Sequence, residues 1–594
     1  MTHSRHHHCC FPALLLLLLL LLLLLLLLLL LLHRTYAIVF PHDEALAGRG
    51  KRRSPLHAEL EARGCVHQAR HGFERPGWFV VGGGEGGLGG GEGLGGGEGL
   101  GGGEQAPLEY DFYGAYAEGA WRLRPGHPDV PAHASHAYNA LIEGELTFGW
   151  PASHGLVAEE CRAAREGVAL FDQSYFGKFF LEGPDAPAAV AWLTGIADPG
   201  DGEGGGGGGM ADGAVAYTTL CNARGGVEAD LTVTKLGGGR GFYLAAGGNT
   251  ATKDQEWIRT VLADRGFTAA AGKVTLRDAS EEMAILSVQG PHSRALLQPL
   301  LGGGGGGGGG GTAAAALDLS DDGAFPFSTC REGLTLGGHP VEMVLRLTFV
   351  GELGYELHVR AEHAAPVYRA LRRAGAAHEA ATGAPVRDAG YRAIDSLSAE
   401  KNYRHWHADL SNRDTPLEAG IGFTVLPKLK RRAEGMGGGT GAGAGGACGA
   451  GGAGGAGGGA GGGGEAVASF DFLGGAALQA QRAAGLRRKL VCLVLRDGRE
   501  EGAPPLHGAE TLWRDGACVG YVRSTAFGHT LGRSIAYGYA DCPEGAPKIT
   551  NKWLREGDWC VGDRGTMLAA DLHLKAPFDP ENNKVKGLPL GAQQ

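Results

Sequence analysis

Between residues 148 and 425 the hydrophobic pattern changes repeatedly between the spacing of strands and that of helices. Runs of β-branched and aromatic residues predict strands at 179–181, 217–220, 230–236, 242–246, 283–288, 341–349 and 355–359. Apolar positions three and four residues apart predict helices at 157–170, 185–193, 254–262 and 391–400. This irregular alternation favours an α+β fold over a doubly wound parallel sheet.

The pattern after residue 470 is different, with one helix expected at 473–484 and then mostly short strands. Strands are expected at 489–495 and 534–539, and a hairpin at 511–522 turns at Asp515-Gly516, a pair that favours tight turns. Several short strands within about a hundred residues predict a small β-barrel.

Glycine is the anomaly of the composition, with 109 residues. Much of it stands in runs at 82–103, 204–209, 302–311 and 435–464, a composition typical of flexible coil without a packed core. The net charge of -10 offers no basic surface, so no nucleic-acid partner is expected. Eleven cysteines without a CxxC pair indicate a reducing compartment and no zinc site.

A run of 19 leucines at 14–32 is long enough to cross a bilayer. It has no basic flank beyond Arg5 and Arg34, and no small-residue cleavage site follows it. We therefore interpret it as a wrongly translated nucleotide repeat rather than an anchor. No membrane partner is expected unless this tract is real.

Several blocks carry a resemblance to a known family. They include FDQSYFGKFFLEG at 171–183, GGVEADLTVTKL at 225–236, LRLTFVGELGYELHV at 345–359 and AGYRAIDSLSAEKNYRHWHADL at 389–410. The chain resembles the sarcosine dehydrogenase family, together with the related dimethylglycine dehydrogenases and the T-protein of the glycine cleavage system. The resemblance implies an aminomethyltransferase-like, folate-binding fold followed by a small C-terminal β-barrel.

The same resemblance implies the domain organisation. The expected parts are a low-complexity segment at 1–35, a central domain of the flavin-dependent oxidoreductase type at 36–147 with a glycine-rich insert, the folate-binding domain at 148–425, a glycine-rich linker at 426–469 and the barrel at 470–594.

The resemblance also implies the ligands, which are tetrahydrofolate and a sarcosine-derived iminium, and a location in the mitochondrial matrix. FAD is expected only if a flavin domain is supplied at the N-terminus. The GxGxxG match inside 82–103 lacks the strand and helix that a dinucleotide site needs, and we attribute it to chance in a glycine repeat.

Two carboxylates are the main candidates for the transfer site. Asp230, at an expected turn-to-strand junction, matches the essential aspartate of the T-protein motif and is the expected catalytic residue; its alternative is a turn or capping role. Glu356, inside an apolar strand, would suit the N–H groups of a pterin, and its alternative is the solvent face of that strand.

Three further residues are candidates for folate binding. Tyr355 and Tyr175 are expected to line the pocket, with core packing as the alternative. Arg392 is expected either to meet the folate glutamate or, as we prefer, to pair with Asp395 on one helix face. His405 and His407 flank Trp406, but two histidines alone are a weak metal signal, and no metal is expected.

A competing interpretation is a non-catalytic protein resembling the regulatory subunit of pyruvate dehydrogenase phosphatase, which shares the architecture. Asp230 and the sequence HWHADL at 405–410 favour the transferase half of a sarcosine dehydrogenase-like enzyme.

Overall fold

The structure, a computed structural model, describes residues 40–42, 44, 50–70, 72–80, 144–196, 210–303, 317–320, 322–429, 472–496 and 505–591. The leucine run, the expected structure at 109–143 and most of the glycine runs lie outside the described residues.

The helices are α1 (His57–Glu61), α2 (His154–Glu166), α3 (Ala186–Thr194), α4 (Ala251–Asp264), α5 (Ser293–Leu297), α6 (Ala361–Thr382), α7 (Tyr391–Glu400), α8 (Gly475–Ala484) and α9 (Asn551–Arg555). The strands are β1 (Cys65–Arg70), β2 (Phe73–Phe79), β3 (Val168–Asp172), β4 (Gly177–Glu182), β5 (Val215–Cys221), β6 (Val227–Lys235), β7 (Phe242–Ala246), β8 (Thr275–Asp278), β9 (Met283–Gln289), β10 (Leu301–Gly303), β11 (Cys330–Leu336), β12 (His339–Leu345), β13 (Gly354–Arg360), β14 (Val386–Asp388), β15 (Arg488–Leu495), β16 (Thr511–Arg514), β17 (Ala517–Gly528), β18 (Arg533–Asp541), β19 (Trp559–Asp563) and β20 (Thr566–His573).

Two sheets form the main body. One has seven strands in the order β10-β11-β12-β13-β9-β3-β14, and the other has five in the order β5-β6-β7-β4-β8. Every pairing in them is antiparallel except β14 with β3, so the predicted α+β class is confirmed.

Strand alternation gives each sheet one helix-covered face and one inner face. In β13, Tyr355, Leu357 and Val359 pack in the core that α6 covers. Another core contains Tyr243 and Ala245 of β7 with Met343 and Leu345 of β12, and it joins the inner faces of the two sheets. The residues that alternate with the helix-covered ones therefore face the space between the sheets.

The C-terminal part is a closed barrel in the order β15-β18-β17-β16-β19-β20, as predicted. Its predicted hairpin turns at Asp515 and Gly516, whose φ angles of 50° and 78° are left-handed. Two left-handed residues in a row suit the right-handed twist of the flanking strands.

The segment before the glycine-rich insert packs into the main body. Leu56 and Leu60 join the core under β9 and β13, and Trp78 of β2 joins the core beneath α2 and α7. Residues 56–79 therefore share a core with the part expected to begin at 148. The boundary at 147 stays a prediction.

Some elements differ from those predicted. The helix expected at 157–170 runs from His154 to Glu166 and ends at Gly167, whose φ of −135° and ψ of −112° are not helical, and β3 follows at once. The long helix α6 was not predicted. Gly302 and Gly303, expected in flexible coil, pair with Thr335 and Leu334 as part of β10.

A buried ion network connects the barrel to the main body. Arg165 of α2 bonds Glu352 at 3.0 Å and Glu400 of α7 at 2.8 Å. Glu400 in turn accepts the backbone N–H groups of Thr530 and Leu531 in the barrel. Among the described residues, we find no helix both long and apolar enough to cross a membrane.

Candidate functional site

Asp230 lies inside β6, three residues after its first residue Val227, and not at a turn-to-strand junction. Ala229, Leu231 and Val233 pack in the core under α3 and α4, so Asp230 faces the space between the sheets. This position inside the strand removes the capping interpretation.

Among the described residues, the carboxylate of Asp230 has one hydrogen-bond donor from a side chain, the Tyr217 hydroxyl at 2.9 Å from Oδ2. Burial raises the pKa of Asp230, while Tyr217 and the nearby His405 and Lys253 act in the opposite direction. Desolvation disfavours the ionised carboxylate, so Asp230 takes up a proton more readily than a fully solvated aspartate does.

Glu356 of β13 also faces this space, because its neighbours Tyr355 and Leu357 pack on the other side of the strand. The side chain of Glu356 is almost fully buried, so the solvent-face interpretation does not hold. Its carboxylate makes no hydrogen bond to a described residue, and its nearest cation-forming atom is His358 Nε2 at 3.5 Å. The other ring nitrogen of His358 meets the Tyr243 hydroxyl at 2.9 Å.

Buried polar atoms around Glu356 lack partners among the described residues. They are His358 Nε2, Gln289 Oε1 and Thr234 Oγ1. Each such atom costs about 1–3 kcal/mol when it stays unsatisfied. The space between the sheets is therefore lined by groups that a ligand with polar edges would satisfy.

The two tyrosines occupy different surroundings. Tyr355 is fully buried beside Phe325, and Arg294 donates to its hydroxyl at 3.3 Å, so it lies in the core and away from Glu356. Tyr175 borders a cavity of about 670 Å³ whose wall also includes Phe73, Glu228 and Lys253. Of the two, the geometry keeps only Tyr175 at a pocket.

Arg392 is held by residues outside its own helix. Its Nη1 forms an ion pair with Glu145 and a 2.6 Å hydrogen bond to Ser153 Oγ, and its guanidinium lies 4.2 Å from the centre of the Trp78 ring. Among the described residues its ion-pair partner is Glu145, so the pair that we preferred with Asp395 is wrong.

His405 bridges two turns of α7. Its Nδ1 lies 3.1 Å from the Tyr391 hydroxyl and its Nε2 lies 2.8 Å from Ser398 Oγ. The part of the chain that the structure describes contains no group of three or more metal-ligating side chains. Both imidazole nitrogens are thus used to fix α7 to the loop that follows it.

Several residues at the site were missed by the sequence reasoning. Tyr217 was predicted only as part of a strand, although a tyrosine two residues from the register partner of Asp230 is within reach of it. Phe423 is 53% exposed beside Tyr217, with ring centres 6.2 Å apart. Arg75 is buried against the Tyr391 ring, 3.3 Å from its centre.

The arrangement is suited to proton transfer next to a bound organic ligand. Asp230 supplies a carboxylate with a raised pKa, Tyr217 orients it, and Glu356 offers an acceptor to which no described residue donates. An enclosed carboxylate also stabilises a cation that develops close to it.

Comparison with known proteins defines the class. The GCVT N-terminal domain matches residues 56–428, and the glycine cleavage T-protein C-terminal barrel domain matches residues 488–579. The chain belongs to this family of enzymes. A crystal structure of the glycine cleavage system aminomethyltransferase T from Bartonella henselae shares the fold, with a TM-score of 0.55 and 17% identity over 90% of this chain and 99% of that one.

Within the family, the chain is similar to mitochondrial sarcosine dehydrogenase of Homo sapiens, with 40% identity over 93% of this chain and 49% of the human protein. It is also similar to an aminomethyltransferase of Symbiobacterium thermophilum, with 29% identity over 66% of this chain and 84% of that protein. The resemblance seen in the sequence is confirmed. The chain spans about half the length of the sarcosine dehydrogenases that it matches.

Proposed function

We propose that this chain transfers a one-carbon unit from a sarcosine-derived iminium to tetrahydrofolate, forming 5,10-methylenetetrahydrofolate and glycine. The observation that carries the proposal is Asp230, a partly buried carboxylate on the inner face of a T-protein-type fold, to which Tyr217 alone donates among the described side chains. The similarity to sarcosine dehydrogenase supports the choice of one-carbon donor.

The proton balance shows why a carboxylate is needed. The donor is the iminium of glycine, CH2=NH⁺–CH2–COO⁻, and the acceptor nitrogens of tetrahydrofolate each carry one hydrogen. Closing the methylene bridge removes both hydrogens, and both end on the nitrogen of the departing glycine. Asp230 accepts a proton from one nitrogen and returns it to the other, and its negative charge stabilises the cationic stages between.

The surroundings of Glu356 suit the pterin. A pterin edge carries N–H donors and a carbonyl acceptor, and Glu356 with Gln289 Oε1 offers acceptors that lack hydrogen-bond partners in the described part of the chain. His358 Nε2 and Thr234 Oγ1 can complete the set from the same inner face.

Oxidation of sarcosine is a separate flavin reaction. A bound FAD would supply the hydride-acceptor chemistry that produces the iminium, and we assign Asp230 and Glu356 to the transfer reaction alone. The relatives named above include mitochondrial proteins, and we propose that this chain works in the mitochondrial matrix with small-molecule partners.

The first test uses the full chain with tetrahydrofolate, and the measurement is the shift in melting temperature. Transfer is then assayed with sarcosine, a sarcosine-oxidising flavin domain added in trans, and excess formaldehyde dehydrogenase to remove free formaldehyde. We expect tetrahydrofolate to stabilise the chain. We also expect methylenetetrahydrofolate to form above the level without the chain.

Replacing Asp230→Asn keeps the shape of the side chain and removes its basicity. We expect tetrahydrofolate binding to persist and the transfer rate to fall by about 10²- to 10⁴-fold. The exposed Asp541→Asn variant is the control and should transfer normally. Unchanged transfer in a folded Asp230→Asn protein would remove the catalytic role. A wild-type chain that neither binds folate nor transfers would instead favour the non-catalytic regulatory interpretation.

A further inference from the structure

Arg75 of β2 is a buried cation without an ion-pair partner in the described part of the chain. Its side chain is 4% exposed, it lies on the Tyr391 ring, and its Nε and Nη1 atoms meet no acceptor among the described residues. The guanidinium also lies 5.9 Å from the centre of the Tyr175 ring, so aromatic rings from two parts of the chain enclose it.

Asp395 of α7 faces the same place. Tyr391 and Ser398 both contact His405, and Asp395 lies between them on that helix face, at positions four and three residues away. The Asp395 side chain is exposed to water, although surrounding protein raises its pKa by desolvation. Its carboxylate has no hydrogen bond or ion pair with a described residue.

The other charges near Asp395 are already paired. Three arginines act electrostatically on this carboxylate: Arg75, Arg70 and Arg392. Arg70 is bonded to Glu44 at 2.9 Å, and Arg392 is bonded to Glu145. Arg75 is the one of the three that forms no ion pair with a described residue.

We propose that Arg75 and Asp395 form a subsite for an α-amino acid, in which the guanidinium binds the carboxylate and Asp395 binds the nitrogen. This inference rests on the proposed function, since the iminium donor and the glycine product both carry a carboxylate one carbon from their nitrogen. Asp395 lies four residues along α7 from Tyr391, a rise of about 6 Å. Since Arg75 lies on the Tyr391 ring and acts electrostatically on Asp395, the anion-binding and cation-binding groups are close to each other.

The subsite has a clear purpose in the transfer reaction. His405 acts electrostatically on both Asp395 and Asp230, so the subsite and the proton-transferring carboxylate both lie near one imidazole. Holding the donor by its two charged ends would orient its methylene carbon and keep it from water. A freely rotating donor would hydrolyse to formaldehyde instead.

The test measures binding of glycine and glycinamide to the full chain by calorimetry, with and without Arg75→Gln. Glycinamide keeps the amino group and lacks the carboxylate. We expect glycine to bind the wild-type chain at least tenfold more tightly than glycinamide, and Arg75→Gln to remove this preference. Arg294→Gln is the matched control, because Arg294 bonds Tyr355 and Asp322 on the far face of β13. This control should keep the preference.

Two further arms keep the result decisive. Asp395→Asn should weaken the binding of glycine at least tenfold and leave the weak binding of acetate unchanged. This result supports the subsite even if the Arg75→Gln variant does not fold. Equal binding of glycine and glycinamide by the wild-type chain overturns the subsite.

The folate glutamate is another source of a carboxylate, and a separate arm distinguishes it. If Arg75→Gln weakens the binding of tetrahydrofolate but not that of 6-methyltetrahydropterin, which has no glutamate, then Arg75 binds the glutamate carboxylate of folate. That result overturns the amino-acid subsite. A wild-type chain that binds glycine through Arg75 and ignores tetrahydrofolate would retain the subsite and contradict the proposed function.

Discussion

At the scale of single residues, the charge of Asp230 is set by two opposing effects. Burial favours the protonated acid, and the Tyr217 hydroxyl stabilises the ionised form through its hydrogen bond at 2.9 Å. Transfer needs the ionised form, so the rate should be lost as the pH falls through the raised pKa of Asp230.

Removing the Tyr217 hydroxyl should raise this pKa further. With Tyr217→Phe we expect the acidic limb of the transfer pH profile to move upward by about one to two pH units, since a hydrogen bond to a charged group contributes about 1.5–3 kcal/mol and one pH unit corresponds to about 1.36 kcal/mol. Tyr368→Phe is the control, because Tyr368 bonds Asp388 away from the pocket. An acidic limb that does not move would show that Tyr217 leaves the protonation of Asp230 unaffected.

The residue scale also shows where sequence reasoning stops. Asp230 and Glu356 could be chosen because each is a carboxylate inside a recognisable block. The sequence does not reveal that Arg75 lacks an ion-pair partner, because this depends on Glu44 and Glu145 neutralising two other arginines. The second of these pairs joins residues 247 positions apart in the chain.

At the scale of elements, the local sequence pattern predicts where the centres of strands and helices lie, but it does not always predict where these elements begin and end. The strand at Phe242–Ala246 and the helix at Tyr391–Glu400 match their predicted bounds. The helix α2 ends early at Gly167, which leaves the helical conformation and lies against the carbonyl of Pro385, more than two hundred residues later in the chain. Pro366 near the start of α6 weakened the helical signal of that segment.

Two glycines of opposite character test this description of the elements. Gly155 is exposed in the first turn of α2, and a Cβ added there would meet no atom within 4 Å, so Gly155→Ala should stabilise the protein by about 0.5 kcal/mol. Gly516 has a φ of 78°, so Gly516→Ala should destabilise it by about 1–2 kcal/mol. Chemical unfolding measures both changes, and equal signs would contradict the assignment.

At the scale of the whole molecule, Arg165 holds three parts together. It neutralises Glu352 and Glu400, both of which are fully buried, and Glu400 binds the barrel. The cation is therefore a shared counter-ion for carboxylates from separate elements.

The Arg165→Leu variant removes the cation that pairs with Glu352 and Glu400. We expect the free energy of unfolding to fall by about 3–5 kcal/mol. The control is Arg162→Leu, three residues earlier on α2, where Arg162 pairs with Glu159 and Glu166 at the surface. That change should cost less than about 1 kcal/mol. Similar losses in the two variants would show that the network adds nothing beyond surface pairing.

Lys401, just after α7, is fully buried and bonds Asp579 at 3.0 Å, 178 residues later in the chain. During synthesis at about 5–20 residues per second, the ribosome needs roughly 9–36 s to make that stretch. Throughout this interval the nascent chain carries an ammonium group whose native carboxylate does not yet exist. A premature stop codon before position 579 would make that condition permanent, so even a late truncation should give a protein that cellular quality control removes.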